Sequence, residues 1–397
     1  MVNFADRMAN MKPSAIREIL ALTAQPDIIS FAGGLPAPEL FPVDDISAAI
    51  EAVMKENGRG ALQYATTPGL PHLREQIAAR LLAKNNIRTP IDNILTTAGS
   101  QQGLDFAARL FVNPGDVVLM ESPSYLGAIN AFTPSQPRFV EVPTDENGMV
   151  MEELEKILAS TPNVKLIYVI PDFQNPSGRT WPLERRKQFM EIINKYGVLA
   201  IEDNPYGDLR FKGEYLPALK SMDTEGNIIY MGTFSKILAP GCRLGWLCAE
   251  EEIINKLNLI AQAAVLQTPT ITMMAVSKYL DMFDINEHVE KIKATYKHRC
   301  ELMIKTMQET FPAEAKFTDP DGGLFTWVEL PSYVNTRELA VKALAKNVAF
   351  VPGDGFFPNG GNFSCMRLNY SCMPDDRIVE GIRRLAEVIK EGLAEKK

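Results

Sequence analysis

Between about residues 90 and 250, six short apolar segments alternate with amphipathic ones, and this alternation restricts the possible folds more than any other feature. The apolar segments are ILTT (94–97), DVVLME (116–121), VKLIYVI (164–170), VLAIED (198–203), NIIYMG (227–232) and RLGWLCA (243–249). Segments that are apolar throughout are typical of strands buried on both faces. The amphipathic segments between them, such as 182–196, have a helical pattern. The sequence therefore predicts an α/β fold whose large domain contains a mostly parallel central sheet.

After residue 285 the pattern changes, and it predicts a smaller α+β domain. A long charged helix (286–311) is followed by a mixture of apolar and helical segments: GGLFTWVEL (322–330), a helical stretch from 335, NVAFVPG (347–353), NFSCMRLNYS (362–371) and a final helix. Near the N-terminus, the Gly- and Pro-rich segment 31–42 predicts an irregular and functional connection. We expect three parts: an N-terminal helix and substrate loop packed with the small domain, a large domain and a small C-terminal domain, at 1–43, 44–285 and 286–397.

The composition argues against several classes of protein. With 41 Lys and Arg against 49 Asp and Glu, the net charge of −8 offers no basic excess for binding nucleic acid. Charged residues interrupt the N-terminal segment, so it does not resemble a signal peptide, and no apolar run approaches the length of a membrane span. The five cysteines and three histidines have no metal-ligand spacing. We therefore expect a cytoplasmic protein with no nucleic-acid partner, no membrane partner and no metal site.

Polar residues follow five of the predicted strands at the point where each strand ends. These segments are AGSQQG, SPSYLG, PDFQNPSG, NPYG and TFSK, in the order of the strands along the chain. Because open α/β sheets bind ligands at the carboxyl ends of their strands, the five segments predict a site along one edge of the sheet.

Two of these segments contain candidates for binding phosphate. Ser100, at the predicted N-cap of a helix, lies among free backbone N–H groups that suit a phosphate, although a plain serine N-cap is the alternative. Arg243 is a second phosphate candidate or else a surface arginine, and Thr233 and Ser235 could donate hydroxyl groups.

Four further residues suggest the chemistry of the site. Asp203 ends an apolar run and requires a cationic partner, such as a protonated heterocyclic nitrogen, unless it caps the next segment. Tyr125 could stack on a flat ring or be a half-buried core tyrosine. Lys236 is a nucleophile if desolvation or a neighbouring Arg243 lowers its pKa, whereas a loop lysine is usually solvated. Arg367 could bind a substrate carboxylate or form an internal salt bridge.

Ten motifs, in order, connect the chain with one family. They are SAIREIL, SFAGGLPAPELFP, LQYATTPGLPHLR, TTAGSQQGLD, ESPSYLGAI, PDFQNPSG, EDNPYGDL, TFSKILAPGCRLGW, GGLFTWVELP and NVAFVPG. Together they resemble the fold-type I, pyridoxal-phosphate-dependent aminotransferases of class I and II, and within them the subgroup of 2-aminoadipate and kynurenine aminotransferases. The resemblance covers essentially the whole chain.

The resemblance implies a role for each matching residue in binding the cofactor. Lys236 would form a Schiff base with pyridoxal phosphate, Asp203 would pair with its ring nitrogen, and Tyr125 would stack on its ring. Asn175 and Tyr206 would hydrogen-bond its ring hydroxyl. Its phosphate would be held by Ser100, Gln101, Thr233, Ser235 and Arg243, and by Tyr64 of the partner subunit, so that the active unit would be a homodimer.

The resemblance also implies the reaction. An L-amino acid would give its amino group to a 2-oxo acid, 2-oxoglutarate in our expectation, in a ping-pong mechanism, with Arg367 and Asn175 holding the substrate's α-carboxylate. Arg17, beside the loop that contains Gly34, would bind a distal carboxylate such as that of 2-aminoadipate or glutamate, unless it forms an ordinary helix salt bridge.

Several alternatives remain open from the sequence. Aromatic, kynurenine-like and branched-chain substrates fit the subgroup as well as dicarboxylates do. A pyridoxal-phosphate-dependent β-lyase on the same fold is the alternative enzyme. A cofactor-binding regulator behind a DNA-binding helix-turn-helix is not expected, because the aminotransferase-like pattern begins by about residue 14.

Overall fold

The computed structural model describes residues 2–8, 11 and 27–395 of the 397-residue chain. Arg17 and the SAIREIL motif lie outside the described residues. The strands of the described part are β1 Ile29–Ser30, β2 Ile94–Thr97, β3 Val117–Ser122, β4 Arg138–Asp145, β5 Gly148–Met149, β6 Val164–Val169, β7 Leu199–Asp203, β8 Ile228–Thr233, β9 Gly245–Cys248, β10 Lys316–Phe317, β11 Phe325–Glu329, β12 Val348–Ala349, β13 Val351–Pro352 and β14 Cys365–Asn369.

Within these residues, eight strands form the largest sheet, in the spatial order β2-β9-β8-β7-β6-β3-β4-β5. Strands β8, β7, β6, β3 and β4 pair in parallel, whereas β9 is antiparallel to both of its neighbours and β5 is antiparallel to β4. All six apolar segments singled out in the sequence form strands of this sheet, which confirms the predicted α/β class.

The sequence analysis missed strand β4 and its short partner β5. The segment RFVEVPTD of β4 mixes polar and apolar residues, and only Val142 within it is buried. Because β4 is only partly buried, it does not need the continuous apolar run that identified the other strands.

Helices cover the sheets and bury their apolar residues against them. They are α1 Val43–Ala61, α2 Pro71–Asn85, α3 Ser100–Phe111, α4 Leu126–Phe132, α5 Met151–Ser160, α6 Leu183–Tyr196, α7 Glu251–Ala264, α8 Thr270–Met282, α9 Ile285–Thr310, α10 Thr336–Ala345 and α11 Asp375–Ala394. The apolar residues at the spacing expected of the final helix, Ile378, Ile382, Leu385 and Ile389, are all buried. In the part of the chain that the structure describes, no helix combines the length and the apolar character needed to cross a membrane.

A second sheet of four antiparallel strands, ordered β10-β11-β14-β13, forms from the C-terminal part of the described chain. The segment after residue 27 packs beside it: β1 pairs in parallel with β12 in a separate two-stranded sheet, and the N–H of Asn369 on β14 donates to the carbonyl of Phe31 at 2.9 Å. Apart from a 3-10 turn at Pro38–Leu40, residues 31–42 are irregular, as expected. The domain boundaries given above stay a prediction.

Candidate active site

A cavity of about 250 Å³ lies at the carboxyl ends of the parallel strands. Twelve residues singled out in the sequence line it: Gly34, Ser100, Gln101, Tyr125, Asn175, Asp203, Tyr206, Thr233, Ser235, Lys236, Arg243 and Arg367. Ile170, Pro205, Pro240 and Phe325 also line it and were not predicted. Tyr64 is 77% exposed and does not line this cavity. The fold thus brings together the residues that follow separate strands.

One wall of the cavity is the N-terminus of α3. The predicted N-cap is wrong by one residue, because Gly99 is the cap and Ser100 is the first helical residue. The hydroxyl of Ser100 is buried, and no described residue hydrogen-bonds to it. The free N–H groups of the first turn and the positive end of the helix dipole make this wall suitable for an anion.

Arg243 lies against the same wall. Its Nη2 donates a hydrogen bond to the carbonyl of Ala98 at 3.0 Å, although the residue as a whole is exposed. Gly99 has a φ of +81°, and a Cβ at this position would lie 2.5 Å from Arg243 Nη2. The absence of a side chain at position 99 therefore allows the guanidinium to lie beside the helix N-terminus, where its charge adds to that of the dipole.

Two hydroxyl groups face this wall from the turn that follows β8. Thr233 Oγ1 donates to Ser235 Oγ at 2.9 Å or to the carbonyl of Leu244 at 3.2 Å, and the N–H of Ser235 donates to Thr233 Oγ1. Gln101 Nε2 donates to the carbonyl of Gly127 at 2.8 Å, which connects α3 with the start of α4.

Asp203, the last residue of β7, is buried at the base of the cavity. Its Oδ2 accepts a hydrogen bond from the hydroxyl of Tyr168 at 2.7 Å, and its Oδ1 has no partner among the described residues. Burial raises the pKa of Asp203 to about 6, and the bond from Tyr168 opposes this rise. Asp203 does not cap the next segment, because the 3-10 turn that follows begins at Gly207. Its Oδ1 is therefore available to accept a hydrogen bond from a cationic donor in the cavity.

Lys236 lies in the turn after β8, and its Nζ donates to the carbonyl of Gly34 at 2.8 Å. Desolvation and, to a smaller extent, the charges of Arg367 and Arg243 together lower the pKa of Lys236 to about 8. A substantial fraction of the amine is therefore neutral near pH 8, as nucleophilic attack and proton abstraction require.

Arg367, on β14, is buried on the other side of the cavity. Its Nη1 donates to Asn175 Oδ1 at 2.9 Å and its Nη2 to the carbonyl of Ala32 at 2.8 Å, while its Nε has no partner in the described chain. The guanidinium carbon lies 4.2 Å from the centre of the Phe325 ring. Burial lowers the pKa of Arg367 to about 10. No acidic residue of the described ranges pairs with it, so within these ranges Arg367 forms no internal salt bridge and its charge is available to an anion.

Two tyrosines complete the cavity wall. Asn175 Nδ2 donates to the hydroxyl of Tyr206 at 3.3 Å, and the Tyr206 ring packs edge-on against Phe325 at 5.9 Å. Tyr125 lies at the N-cap of α4, and burial raises the pKa of its hydroxyl. Both phenols are therefore neutral hydrogen-bonding groups near pH 7.

Three buried polar atoms without partners in the described residues belong to side chains of this one cavity: Ser100 Oγ, Asp203 Oδ1 and Arg367 Nε. An unpaired buried polar atom is costly, and three of them in one cavity indicate a polar ligand. The groups present fit a ligand with a phosphate, a protonated ring nitrogen and a carbonyl carbon, together with a carboxylate substrate.

Sequence reasoning missed Tyr168 and Phe325. A tyrosine inside the apolar segment VKLIYVI was a usable signal, because its hydroxyl requires a partner when it is buried. Phe325 gave no such signal, since a phenylalanine in a strand is an ordinary core residue.

Comparison with known proteins gives a family match over most of the chain. The family model described as "Aminotransferase class I and II" matches residues 38–385. An aromatic-amino-acid aminotransferase of Thermococcus litoralis is 43% identical over 98% of this chain and 94% of that relative.

Solved structures show the same similarity. The kynurenine aminotransferase of Pyrococcus horikoshii, solved in complex with PMP, is 40% identical, with a TM-score of 0.95 over 98% of this chain and 97% of that one. The α-aminoadipate aminotransferase LysN of Thermus thermophilus, complexed with N-(5'-phosphopyridoxyl)-L-leucine, is 38% identical, with a TM-score of 0.92 over 99% of this chain and 98% of that one.

The contact between Gly99 and Arg243 gives a test of the anion-binding wall. We expect Gly99→Ala to displace the guanidinium and weaken the binding of pyridoxal phosphate about tenfold or more, because a charge-assisted hydrogen bond is lost. Fluorescence titration of the cofactor-free chain measures the dissociation constant.

Gly115→Ala is the matched control for this substitution. Gly115 also has a positive φ (+86°), but a Cβ there would have no neighbour within 4 Å. Both variants carry a backbone penalty of about 1 kcal/mol, and only Gly99→Ala adds the clash. Equal affinities in the two variants would contradict the assignment of Arg243.

Proposed function

The chain belongs to the class I and II aminotransferases, and we propose that it transfers the amino group of an aromatic amino acid or of 2-aminoadipate to 2-oxoglutarate. The observation that carries this proposal is the arrangement of Lys236, Asp203 and Arg367 around one cavity, where Asp203 Oδ1 and Arg367 Nε have no partner among the described residues. The enzyme class is that of its relatives, a pyridoxal-phosphate-dependent transferase that acts on amino acids and 2-oxo acids.

We propose the following assignment of the residues that hold the cofactor. The phosphate would lie at the N-terminus of α3, bound by Ser100, Gln101, Thr233, Ser235 and Arg243. Asp203 would hold a proton on the ring nitrogen, Asn175 and Tyr206 would bind the ring hydroxyl, and Tyr125 would lie on the ring face. The bound cofactor supplies an aldehyde that accepts amino groups and a ring that withdraws electrons from the substrate's Cα.

Lys236 is the proposed base. Its lowered pKa leaves the amine partly neutral, so that it could accept the proton from the substrate's Cα and hold it inside the cavity. In the described structure its Nζ is held by the carbonyl of Gly34, which fixes the amine inside the cavity.

Arg367 is the proposed binding group for the α-carboxylate. A carboxylate could replace the carbonyl of Ala32 as the acceptor from Arg367. It would then form a charge-assisted hydrogen bond with a buried guanidinium that has no acidic partner in the described residues. Asn175 holds Nη1 and thereby orients the planar guanidinium. The α-carboxylate is common to all amino acids, so this contact selects the substrate class and not the side chain.

The side chain of the substrate would meet a largely apolar wall. Three cations line the described cavity, and each already has a proposed role. Arg243 would bind the phosphate, Arg367 would bind the α-carboxylate, and Lys236 would be the base. Phe325 and Ile170 favour an aromatic or apolar side chain. A distal carboxylate therefore needs a further cation, and we propose Arg17, which lies outside the described residues.

A homodimer is the proposed active unit. Leu62, Tyr64 and Leu266 are exposed by 72%, 77% and 56%. They lie on adjacent segments, because Gln267 Oε1 accepts a hydrogen bond from the N–H of Ala65. An apolar group of this kind is typical of an interface, and in the dimer Tyr64 would reach the phosphate of the partner's cavity. We also retain the cytoplasm as the proposed location.

The first test concerns Lys236. We expect Lys236→Ala to lower kcat at least about 100-fold, because the base is lost, while Lys256→Ala, at an exposed position on α7, leaves kcat unchanged. Amino-donor turnover and the absorbance of the bound cofactor measure the effect. Full turnover by Lys236→Ala would disprove the assignment.

Since a β-lyase needs no acceptor, turnover without 2-oxoglutarate would favour elimination over transfer.

The second test concerns the substrate. We expect Arg17→Ala to reduce kcat/KM for 2-aminoadipate about tenfold or more and to spare phenylalanine, because only the dicarboxylic substrate needs the extra cation. The cofactor-loaded enzyme is mixed rapidly with each amino acid alone. 2-Oxoglutarate, which also has a distal carboxylate, is left out, so that only the reaction with the amino acid is measured. Arg7→Ala, on the exposed turn Asp6–Met8, is the control. Equal losses for both substrates would exclude this role of Arg17.

The third test concerns the dimer. Tyr64→Ala and Lys236→Ala should each be poorly active, whereas a mixture that is unfolded and refolded together should regain activity. In a hybrid dimer, one cavity combines Lys236 of one subunit with Tyr64 of the other and is therefore complete. A mixture no more active than its two components would show that Tyr64 does not act across subunits.

A further inference from the structure

Tyr168 reaches Asp203 because of the register of two neighbouring strands. Strand β6 pairs in parallel with β7, with Tyr168 opposite Ile201. Side chains two residues apart on a strand share a face, so Tyr168 lies on the same face as Ile201 and Asp203. The long phenol spans the remaining distance, and its hydroxyl donates to Asp203 Oδ2 at 2.7 Å.

The position of this hydroxyl is fixed by packing. Tyr168 is fully buried, and its ring packs edge-on against that of Phe132, with the ring centres 6.3 Å apart. Because Oδ2 is held by the phenol, the carboxylate has one fixed orientation, and its unpaired Oδ1 remains for the cavity.

The surroundings of Asp203 give its charge little other support. Burial raises the pKa of the carboxyl group, and the hydrogen bond from Tyr168 is the one opposing influence resolved among the described residues. The other titratable or charged groups that line the cavity are Tyr125, Tyr206, Lys236, Arg243 and Arg367. None of the three cations forms a salt bridge with Asp203 within the described ranges, and both tyrosines are neutral near pH 7. The ionised state of Asp203 thus depends on Tyr168.

We propose that Tyr168 is a positioning residue that keeps Asp203 ionised and directs its Oδ1 at the ring nitrogen of the cofactor. This inference rests on the proposed role of Asp203 as the partner of that nitrogen. It adds to that role a residue that does not line the cavity and acts only through the carboxylate.

The test measures cofactor binding and not activity. Pyridoxamine phosphate, which has no aldehyde to react with Lys236, is titrated into the cofactor-free full-length chain between pH 5 and 9, with calorimetry to obtain the dissociation constant. In the wild-type chain, affinity should fall as the pH drops through about 6, because Asp203 takes up a proton. In Tyr168→Phe the fall should occur about one pH unit higher or more, because a hydrogen bond to the charged form is lost.

Two further variants separate a local effect from a structural one. Asp203→Asn removes the titrating group, so the part of the pH dependence that belongs to Asp203 should disappear, and adding Tyr168→Phe should then change nothing further. Tyr230→Phe, which alters a buried tyrosine on the neighbouring strand β8, should retain the wild-type profile.

The outcomes are distinct. A pH profile of Tyr168→Phe that equals that of the wild type overturns the inference. The inference also fails if Tyr168→Phe weakens binding by the same factor at every pH and by that same factor when Asp203→Asn is already present. If Tyr168→Phe does not fold, a profile of Asp203→Asn like that of the wild type still overturns the inference, because Asp203 would then not be the titrating group. If the wild-type chain does not bind pyridoxamine phosphate at all, the proposed function fails, and the inference fails with it.

Discussion

The parallel pairing of buried strands is the constraint on which the rest of the structure depends. Strands β3, β6, β7 and β8 run in one direction through the core, so all of them end at the same edge of the sheet. The polar residues that follow each strand therefore collect at that edge. The site is therefore a product of topology: Asp203 and Lys236, 33 positions apart in the sequence, line one cavity because their strands are neighbours.

The irregular segment after β1 supplies the opposite wall of this cavity. Its carbonyl groups at Ala32 and Gly34 accept hydrogen bonds from Arg367 and Lys236. Both acceptors are neutral oxygens. In the proposed function, a substrate carboxylate would take the place of the first as the partner of Arg367, and a carbonyl carbon would react with Lys236. Binding of the substrate in the proposed function would therefore exchange the neutral carbonyl partner of Arg367 for a negatively charged carboxylate.

Strand positions could be predicted where burial imposes a pattern on the sequence. Six strands of the large sheet were found because each is a mainly apolar segment, whereas β4, which is only partly buried, has no such run. The cavity residues were found because strand ends and family motifs identify them. Tyr168 was missed because its contact with Asp203 depends on the register between β6 and β7, which a local sequence pattern does not encode. The N-cap of α3 was placed one residue too late because Gly99, with a φ of +81°, is the cap.

Burial acts on the two central titratable groups in opposite chemical senses. It lowers the pKa of Lys236 to about 8 and raises that of Asp203 to about 6, because it favours the neutral form of each. For Lys236 this shift suits the proposed role, since a base must be neutral, and the neighbouring arginines contribute part of it. For Asp203 the shift opposes the proposed role, since a carboxylate must be charged to hold a protonated nitrogen. A hydrogen bond from outside the cavity opposes the rise in the pKa of Asp203, and Tyr168, one strand away, is the residue that donates it.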